Sequence, residues 1–271
     1  MQLTRLQSNK TGSKMKRQSP YLSNETAIIT GAGNGIGKAL AFEVAAEGAN
    51  VFLIDTDQQK LTDTLSELQA KGYQANAAMI DLSLAGSAQL VLEQARAAFG
   101  PIHMVVHSAS PPRREADTWR TVTSDTWDAM YHVNVKSGFE LARLVGQHMI
   151  DEGIAGRMLY LTSLHAHTPR NLPHYATSKA AMLMLVKEMA KAWAHHGLRI
   201  NALTPGAIAA GGFKPAGDLA LKIPMQRLGS AQDVAAMGLT LLIDRFSGYV
   251  TGTELVVDGG LSVFNWFDPV Q

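Results

Sequence analysis

The chain is predicted to be an α/β protein, one domain in which seven parallel strands form a doubly wound sheet with helices on both faces. Three observations predict it. Short apolar, β-branched runs alternate with helix-length periodic segments along most of the sequence. The first run ends in a glycine cluster that opens directly into a helical pattern. The third is size: 271 residues with 46% hydrophobic content suit one large core.

Each element has a local reason. Ala27 to Thr30 reads as a buried strand, and Lys38 to Ala45 as the helix behind the glycines. Asn50 to Ile54 is the second strand. Gln58 to Ala70 has helical periodicity and stops near Gly72, and Tyr73 to Ile80 is a strand. Ala85 to Phe99 is a helix ended by Gly100-Pro101, followed by a strand at His103 to His107. Ser124 to Met149 reads as one long helix with Thr123 or Ser124 as N-cap. Arg157 to Leu161 is a strand, His174 to His196 a long helix ended by Gly197, and Arg199 to Leu203 a strand. Ala231 to Ile243 is the last helix and Glu254 to Val257 the last strand. Right-handed crossovers would bring the loops after the strands to one carboxyl edge.

Residues 1–22 differ in kind. They carry Arg5, Lys10, Lys14, Lys16 and Arg17 with no acid, and are expected to be a basic, disordered tail before a folded domain at 23–271. An import presequence has similar composition, but no continuous amphipathic helix shows. The net charge of +1 gives no global attraction to nucleic acid or acidic membranes. No apolar run reaches ~18 residues, so no membrane span is expected. The absence of Cys excludes disulfides, and the nine histidines show no zinc-ligand spacing, so no metal is expected. The expected location is cytoplasmic.

Three local patterns carry chemistry. Gly31-Ala32-Gly33-Asn34-Gly35-Ile36-Gly37 sits between a strand and a helix, where glycines permit close backbone approach and a helix N-terminus offers N–H groups to a pyrophosphate. Its spacing, Gly-x-x-x-Gly-x-Gly, differs from the ordinary dinucleotide fingerprint. Asp55 ends the second strand, 18 residues after Gly37. A carboxylate there can accept from both adenosine ribose hydroxyls and repels a 2′-phosphate. Thr56, Ala32 and Asn34 offer no cation, so NAD is expected over NADP. Tyr175 and Lys179 stand one helical turn apart. Bringing a phenol from ~10 to ~7 takes roughly 4 kcal/mol. A unit charge at about 4 Å and an effective dielectric of ~20 supplies that much, making Tyr175 a general acid/base.

With these residues in place, the chain resembles the short-chain dehydrogenase/reductase family, in its compact one-domain branch, over about residues 22–263. The resemblance implies a Rossmann-like sheet in the order 3-2-1-4-5-6-7 and a nucleotide-binding oxidoreductase. Thr30 to Gly37 matches the cofactor-binding turn, with Gly31, Gly33, Asn34, Gly35, Ile36 and Gly37 lining it. Asp55 matches the acid of NAD-preferring members, and Asp81-Leu82 the pair that meets adenine. Asn134 matches the catalytic asparagine, Ser163 the catalytic serine, and Tyr175 with Lys179 the active-site pair. Pro205-Gly206 matches a segment beside the nicotinamide. By this resemblance Tyr175 exchanges a proton with the substrate, Ser163 holds the same oxygen, Lys179 also binds the nicotinamide ribose, and Asn134 anchors a water relay.

Two departures stand out. His107-Ser108-Ala109-Ser110 replaces the common Asn-Asn-Ala-Gly, so backbone contacts of His107, Ser108 and Ala109 to the cofactor are expected without asparagine support. Ile208-Ala209-Ala210 lacks the threonine that often binds the carboxamide, leaving backbone groups near Ile208 for that task. The substrate side is expected to include Ser110, Ser163, His165, Arg170 and Tyr175, with the pocket lined by loops 111–119, 164–174 and 207–223. These loops are basic and polar, and also hold Arg113, Arg114, Asn171, His174 and Lys214. A small sugar, polyol or anionic hydroxy compound suits them, nearest in look to sugar and polyol dehydrogenases. The alternatives are a 3-oxoacyl thioester reductase and a non-enzymatic NAD-binding regulator. A homotetramer is expected from the apolar residues Met182, Met184, Leu185, Met189 and Trp193 on the second long helix and from the apolar tail Val263 to Phe267.

Overall fold

A computed structural model describes residues 20–212 and 219–263. Seven strands form one sheet: β1 (Thr26–Thr30), β2 (Asn50–Asp55), β3 (Ala75–Met79), β4 (Met104–His107), β5 (Arg157–Leu161), β6 (Arg199–Pro205) and β7 (Glu254–Val257). Their order is β3-β2-β1-β4-β5-β6-β7, and every pairing is parallel, as expected. The order reverses between β1 and β4, and a crevice opens outside the carboxyl ends at such a switch point.

The helices are α1 (Gly35–Ala46), α2 (Gln58–Ala70), α3 (Ser87–Phe99), α4 (Ser124–Tyr131), α5 (Gly138–Asp151), α6 (Pro173–Trp193), α7 (Ala231–Leu242) and α8 (Asp244–Ser247). Strand residues alternate between two cores. Ile29, Leu53 and Val106 face one core with α1, α2 and α7; Ile28, Phe52 and Val105 face the other with α3, α5 and α6. Strands covered on both faces read as continuous apolar runs, which is why β1, β4 and β5 are buried throughout. Thr123 caps α4 through the Thr126 N–H, and Ser230 with Asp233 forms a capping box on α7.

The structure corrects several boundaries. The helix expected over Ser124 to Met149 is broken into α4 and α5 by a π-helical turn at His132–Ser137. At this turn the Val133 carbonyl accepts from the Ser137 hydroxyl at 2.7 Å and from His107 Nε2 on β4 at 3.1 Å, partners outside the helical ladder. The α6 helix begins at Pro173 and tightens to a 3₁₀ turn at Ala194–His196. Leu22, the last residue of the segment expected as tail over 1–22, packs into the fold. Leu22 is 1% exposed, and its N–H donates to the Glu47 carbonyl at 2.8 Å. Residues 1–19, Lys214 and the apolar tail beyond Val263 lie outside the described residues. Among the described residues, no helix is long and apolar enough to cross a membrane.

At the amino ends of the strands, two buried arginines are tied together. Arg157 makes a two-pronged bond to Asp244 (3.0 and 2.8 Å) and reaches Glu25 at 2.8 Å. Arg199 donates to the same Asp244 at 2.9 Å and to the Leu241 carbonyl at 3.0 Å. Burial alone would raise the Asp244 carboxyl, but Arg157 and Arg199 hold it below its usual value. Asp244→Asn should therefore cost about 2 kcal/mol, less than a fully buried pair because its side chain is half exposed. The folded carboxyl lies below its unfolded value, so its contribution is complete above pH ~3.8 and is lost as pH falls through the folded value. Urea midpoints of the two proteins should differ at pH 7 and converge under strongly acid conditions; a constant gap would contradict the assignment.

Candidate active site

Backbone contact shapes the glycine turn. Gly31 has φ +66°, and a Cβ there would lie 2.8 Å from the Ala109 nitrogen. A Cβ on Gly37 would lie 2.1 Å from the Gly31 carbonyl oxygen. Only hydrogen fits at both places, and the α1 N-terminus is thereby presented to the crevice. Gly33 turns the other way. Its N–H donates to Asp55 Oδ2 at 2.8 Å, while Asp55 Oδ1 accepts from the Asp57 N–H at 3.0 Å. Asp55 thus orders the turn and lines the crevice at once.

The loop after β4 is pinned through Thr30. Burial, reinforced by the charge of Lys179, lowers His107 to about 4, so its ring is neutral at pH 7. The Val133 carbonyl can only accept, so Nε2 carries the hydrogen and Nδ1 accepts from the Thr30 hydroxyl at 3.2 Å. The Thr30 oxygen in turn accepts the N–H groups of Ser108 and Ala109, each at 3.1 Å. His107 therefore occupies the wall behind the crevice, fully buried, and does not line it. The support expected to be missing with the asparagine comes from this imidazole.

The crevice has two connected lobes. One, of about 680 Å³, runs past Gly31, Asn34, Gly35, Ile36, Gly37, Asp55, Asp81, Leu82, Ser108 and Ala109. The other, of about 620 Å³, is walled by Ser163, His165, Arg170, Tyr175, Lys179, Pro205, Gly206 and Ile208. Asn34, Ile36, Ser108 and Ser110 belong to both, so the lobes form one groove. Lys60 also lines both, a cation that reading the turn and Thr56 alone missed. Its ammonium pairs with Asp57 at 2.6 Å, leaving two carboxylates against one cation around Asp55. Of the backbone groups expected to replace the absent threonine, the Ala209 N–H is committed to the Gly229 carbonyl and the Ala210 N–H to that of Ile208.

At the second lobe the proposed proton chemistry gathers. Tyr175 and Lys179 face the cleft from one side of α6, with Lys179 Nζ 5.6 Å from the phenol ring centre. Lys179 is buried, donates to the Leu161 carbonyl at 2.9 Å, and is lowered by burial to about 7. Burial pushes the Tyr175 phenol up, while a hydrogen bond with Ser163 and the Arg113 guanidinium pull it down. Burial wins, so the phenol is held above its usual value against Ser163 and Arg113, and Lys179 Nζ stands 5.6 Å from the ring centre rather than at the expected 4 Å. Asn134 is fully buried behind them: Nδ2 donates to Ser178 Oγ at 2.9 Å, and Oδ1 has no protein partner. Ser178 passes the link to the Tyr175 carbonyl at 2.8 Å. His165 stands edge-on to Tyr175, ring centres 5.7 Å apart, with neither ring nitrogen bonded to protein.

Comparison with known proteins places this geometry. The model of a family described as enoyl-(acyl carrier protein) reductase matches residues 31–262. A (3R)-3-hydroxyacyl-CoA dehydrogenase of Canis lupus familiaris is 32% identical over 253 residues, 89% of this chain and 97% of that protein. Glucose 1-dehydrogenase 2 of Bacillus subtilis is 32% identical over 251 residues, 90% of this chain and 96% of that protein. The crystal structure of a short-chain type dehydrogenase/reductase from Mycobacterium marinum has a TM-score of 0.83 and 29% identity, covering 90% of this chain and 98% of that one. The chain belongs to the short-chain dehydrogenase/reductase family. It is an oxidoreductase working with a nicotinamide dinucleotide, NAD or NADP. The residues present fit that group, since the turn is hollowed where a Cβ at Gly31 or Gly37 would intrude.

A single methyl should therefore be decisive. Gly37→Ala should weaken dinucleotide binding at least about a hundredfold, because the Gly31 carbonyl must move. Titration of protein fluorescence with NADH checks this, and binding within threefold of the parent would contradict it.

Proposed function

We propose that this protein is an NAD-dependent dehydrogenase or carbonyl reductase, interconverting a small polar or anionic secondary alcohol and its carbonyl compound. The observation that carries the reading is the convergence of Tyr175, Ser163 and Lys179 on a lobe continuous with the glycine turn. When bound, the dinucleotide supplies or accepts the hydride. Tyr175 takes the hydroxyl proton in oxidation and returns it in reduction. Ser163 holds the same oxygen beside the phenol. Lys179, near its midpoint at neutral pH, meets the nicotinamide ribose and biases the phenol. Asn134 offers its unpartnered Oδ1 to a water relay. Gly31, Gly35, Gly37, Asn34 and Ile36 cradle the phosphates, Asp55 the adenosine ribose, and Asp81 with Leu82 the adenine.

A 3-oxoacyl or hydroxyacyl thioester substrate is the second reading, favoured by the name of the canine relative. Turnover of acyl thioesters, set beside turnover of free alcohols, separates the two. Assembly as a cytoplasmic homotetramer belongs to the same proposal. Met182 and Met189 turn into their own core, contrary to expectation, but Met184 (57% exposed) and Phe139 (42%) leave α6 and α5 with apolar surface. Tyr249 and Val256 do the same beside the edge strand β7. Two such faces suit two kinds of two-fold contact.

Tyr175→Phe should lower kcat at least about a hundredfold while NADH binding stays within about threefold. Retention of a tenth of the turnover would exclude the phenol as proton carrier. The unmutated enzyme should prefer NAD over NADP at least about tenfold in kcat/KM, roughly 1.4 kcal/mol. Equal use of NADP would show that Lys60, rather than Asp55, governs the ribose end. Light scattering should return four times the 29.1 kDa chain mass, and a stable active monomer would refute the assembly.

A further inference from the structure

We propose that the substrate is a hydroxy acid whose carboxylate is bound by Arg113 and Arg170 next to Tyr175. The inference rests on the alcohol–carbonyl reading above, since Tyr175 marks the reacting carbon. Arg113 rises from the loop after β4 and lays its guanidinium over the phenol ring, Cζ 5.3 Å from the ring centre. Its positive charge works to lower the phenol, and its side chain is only 22% exposed. Stacking on an aromatic face holds a planar guanidinium in one orientation. Arg170 reaches the same lobe from the loop after β5.

The two arginines already converge on one carboxylate. Glu115 lies 2.9 Å from Arg113 Nη2 and 3.9 Å from Arg170 Nη2. The space between the guanidinium groups is thus shaped for a carboxylate, and Glu115 fills it from an exposed position on a loop, where an ion pair is cheap to break. A substrate carboxylate replaces it there.

The lining favours an anion over a neutral polyol. A hydroxyl-rich sugar both donates and accepts hydrogen bonds, whereas a carboxylate only accepts and is drawn to cations. Among the described residues, this lobe is lined by Lys60, Arg113, Arg170 and Lys179 and by no Asp or Glu. His165, held neutral by burial and by the neighbouring arginines, also lines this lobe. Because Arg113 lies over the phenol ring, a carboxylate it holds sits close to the carbon whose oxygen meets Tyr175. Substrates of the 2- or 3-hydroxy acid type meet that condition.

The test uses matched acids and amides on the full-chain protein saturated with NADH. Binding of butyrate and butyramide is followed by ligand-observed NMR, and oxidation of lactate, 3-hydroxybutyrate and their amides, with NAD in place of NADH as hydride acceptor, by absorbance. The acids should be preferred at least about tenfold, the range a desolvated guanidinium–carboxylate pair commands. Arg113→Gln should reduce the preference below about threefold, and Arg170→Gln should reduce it in part. Arg114→Gln, the same charge change on an exposed neighbour outside the lining, should leave it intact. Glu115→Gln should tighten butyrate binding by removing the internal competitor. Thermal unfolding of each variant confirms that it is folded, and the Arg170 variant carries the test should the Arg113 variant fail that check. Amides bound as well as acids, a preference that survives both arginine substitutions, or weaker butyrate binding by the Glu115 variant would overturn the proposal. An acid preference in binding without turnover of any alcohol would sink the oxidoreductase substrate reading and leave the anion subsite standing. Brisk turnover of neutral alcohols with no acid preference would sink the subsite alone.

Discussion

One hydroxyl sets the spacing on which the active crevice depends. Thr30 ends β1 at the switch point, and its oxygen accepts the N–H groups of Ser108 and Ala109. That bond holds the loop after β4 against the glycine turn so closely that Gly31 can carry no side chain. The position of Ser108, Ala109 and Ser110 along the groove follows from it, as does the join between the two lobes. The hydroxyl accepts both through its two lone pairs and gives its own hydrogen to His107, whose second nitrogen is committed to Val133. One chain of hydrogen bonds thus runs from the cofactor turn to the π-helical turn beside Asn134. Its members are buried and have few alternative partners, the condition under which a polar network specifies one arrangement.

The electrostatics of the phenol follow a different logic. Burial raises Tyr175 and lowers Lys179, so each group is driven toward its neutral form. Arginine does not yield its proton under the same pressure. A guanidinium over the ring keeps a full positive charge beside the phenol where the ammonium of Lys179 is only half present. The lysine, bonded to the Leu161 carbonyl, is fixed in place by β5 rather than by the phenol.

Much of this was legible in the sequence because the physics is local. Buried parallel strands must be apolar on both sides, so β1, β2, β4, β5 and β6 stand out as runs. The half-exposed β3 is less distinct, and its observed span is shorter than the pattern Tyr73 to Ile80. The glycine turn, Asp55 and the Tyr175–Lys179 pair announce themselves by spacing. What stayed hidden depends on residues far apart in the chain. The π-helical turn carries a bond between His107 and Val133, 26 positions apart. Lys60 belongs to α2, yet α2 leaves the sheet where its first turn overlooks the groove. Arg113 could be read as a basic loop residue, but its place above Tyr175 is decided by the path of a loop that no periodicity describes. Leu22 looked like tail because one apolar residue among polar ones carries no period.

The wide turn between α4 and α5 also constrains how the chain can vary in length. A helix rotates by about 100° per residue, about the width of the apolar stripe on a surface helix. The extra residue at His132–Ser137 therefore sets the phase of everything behind it, including Leu141, Ala142, Val145 and Met149 in their core. Deleting one residue here would straighten the helix and swing that stripe toward water. Inserting one would swing it the other way. The segment between Tyr131 and Gly138 is thus intolerant of insertion and deletion even where individual side chains can be exchanged, because what it encodes is an angle.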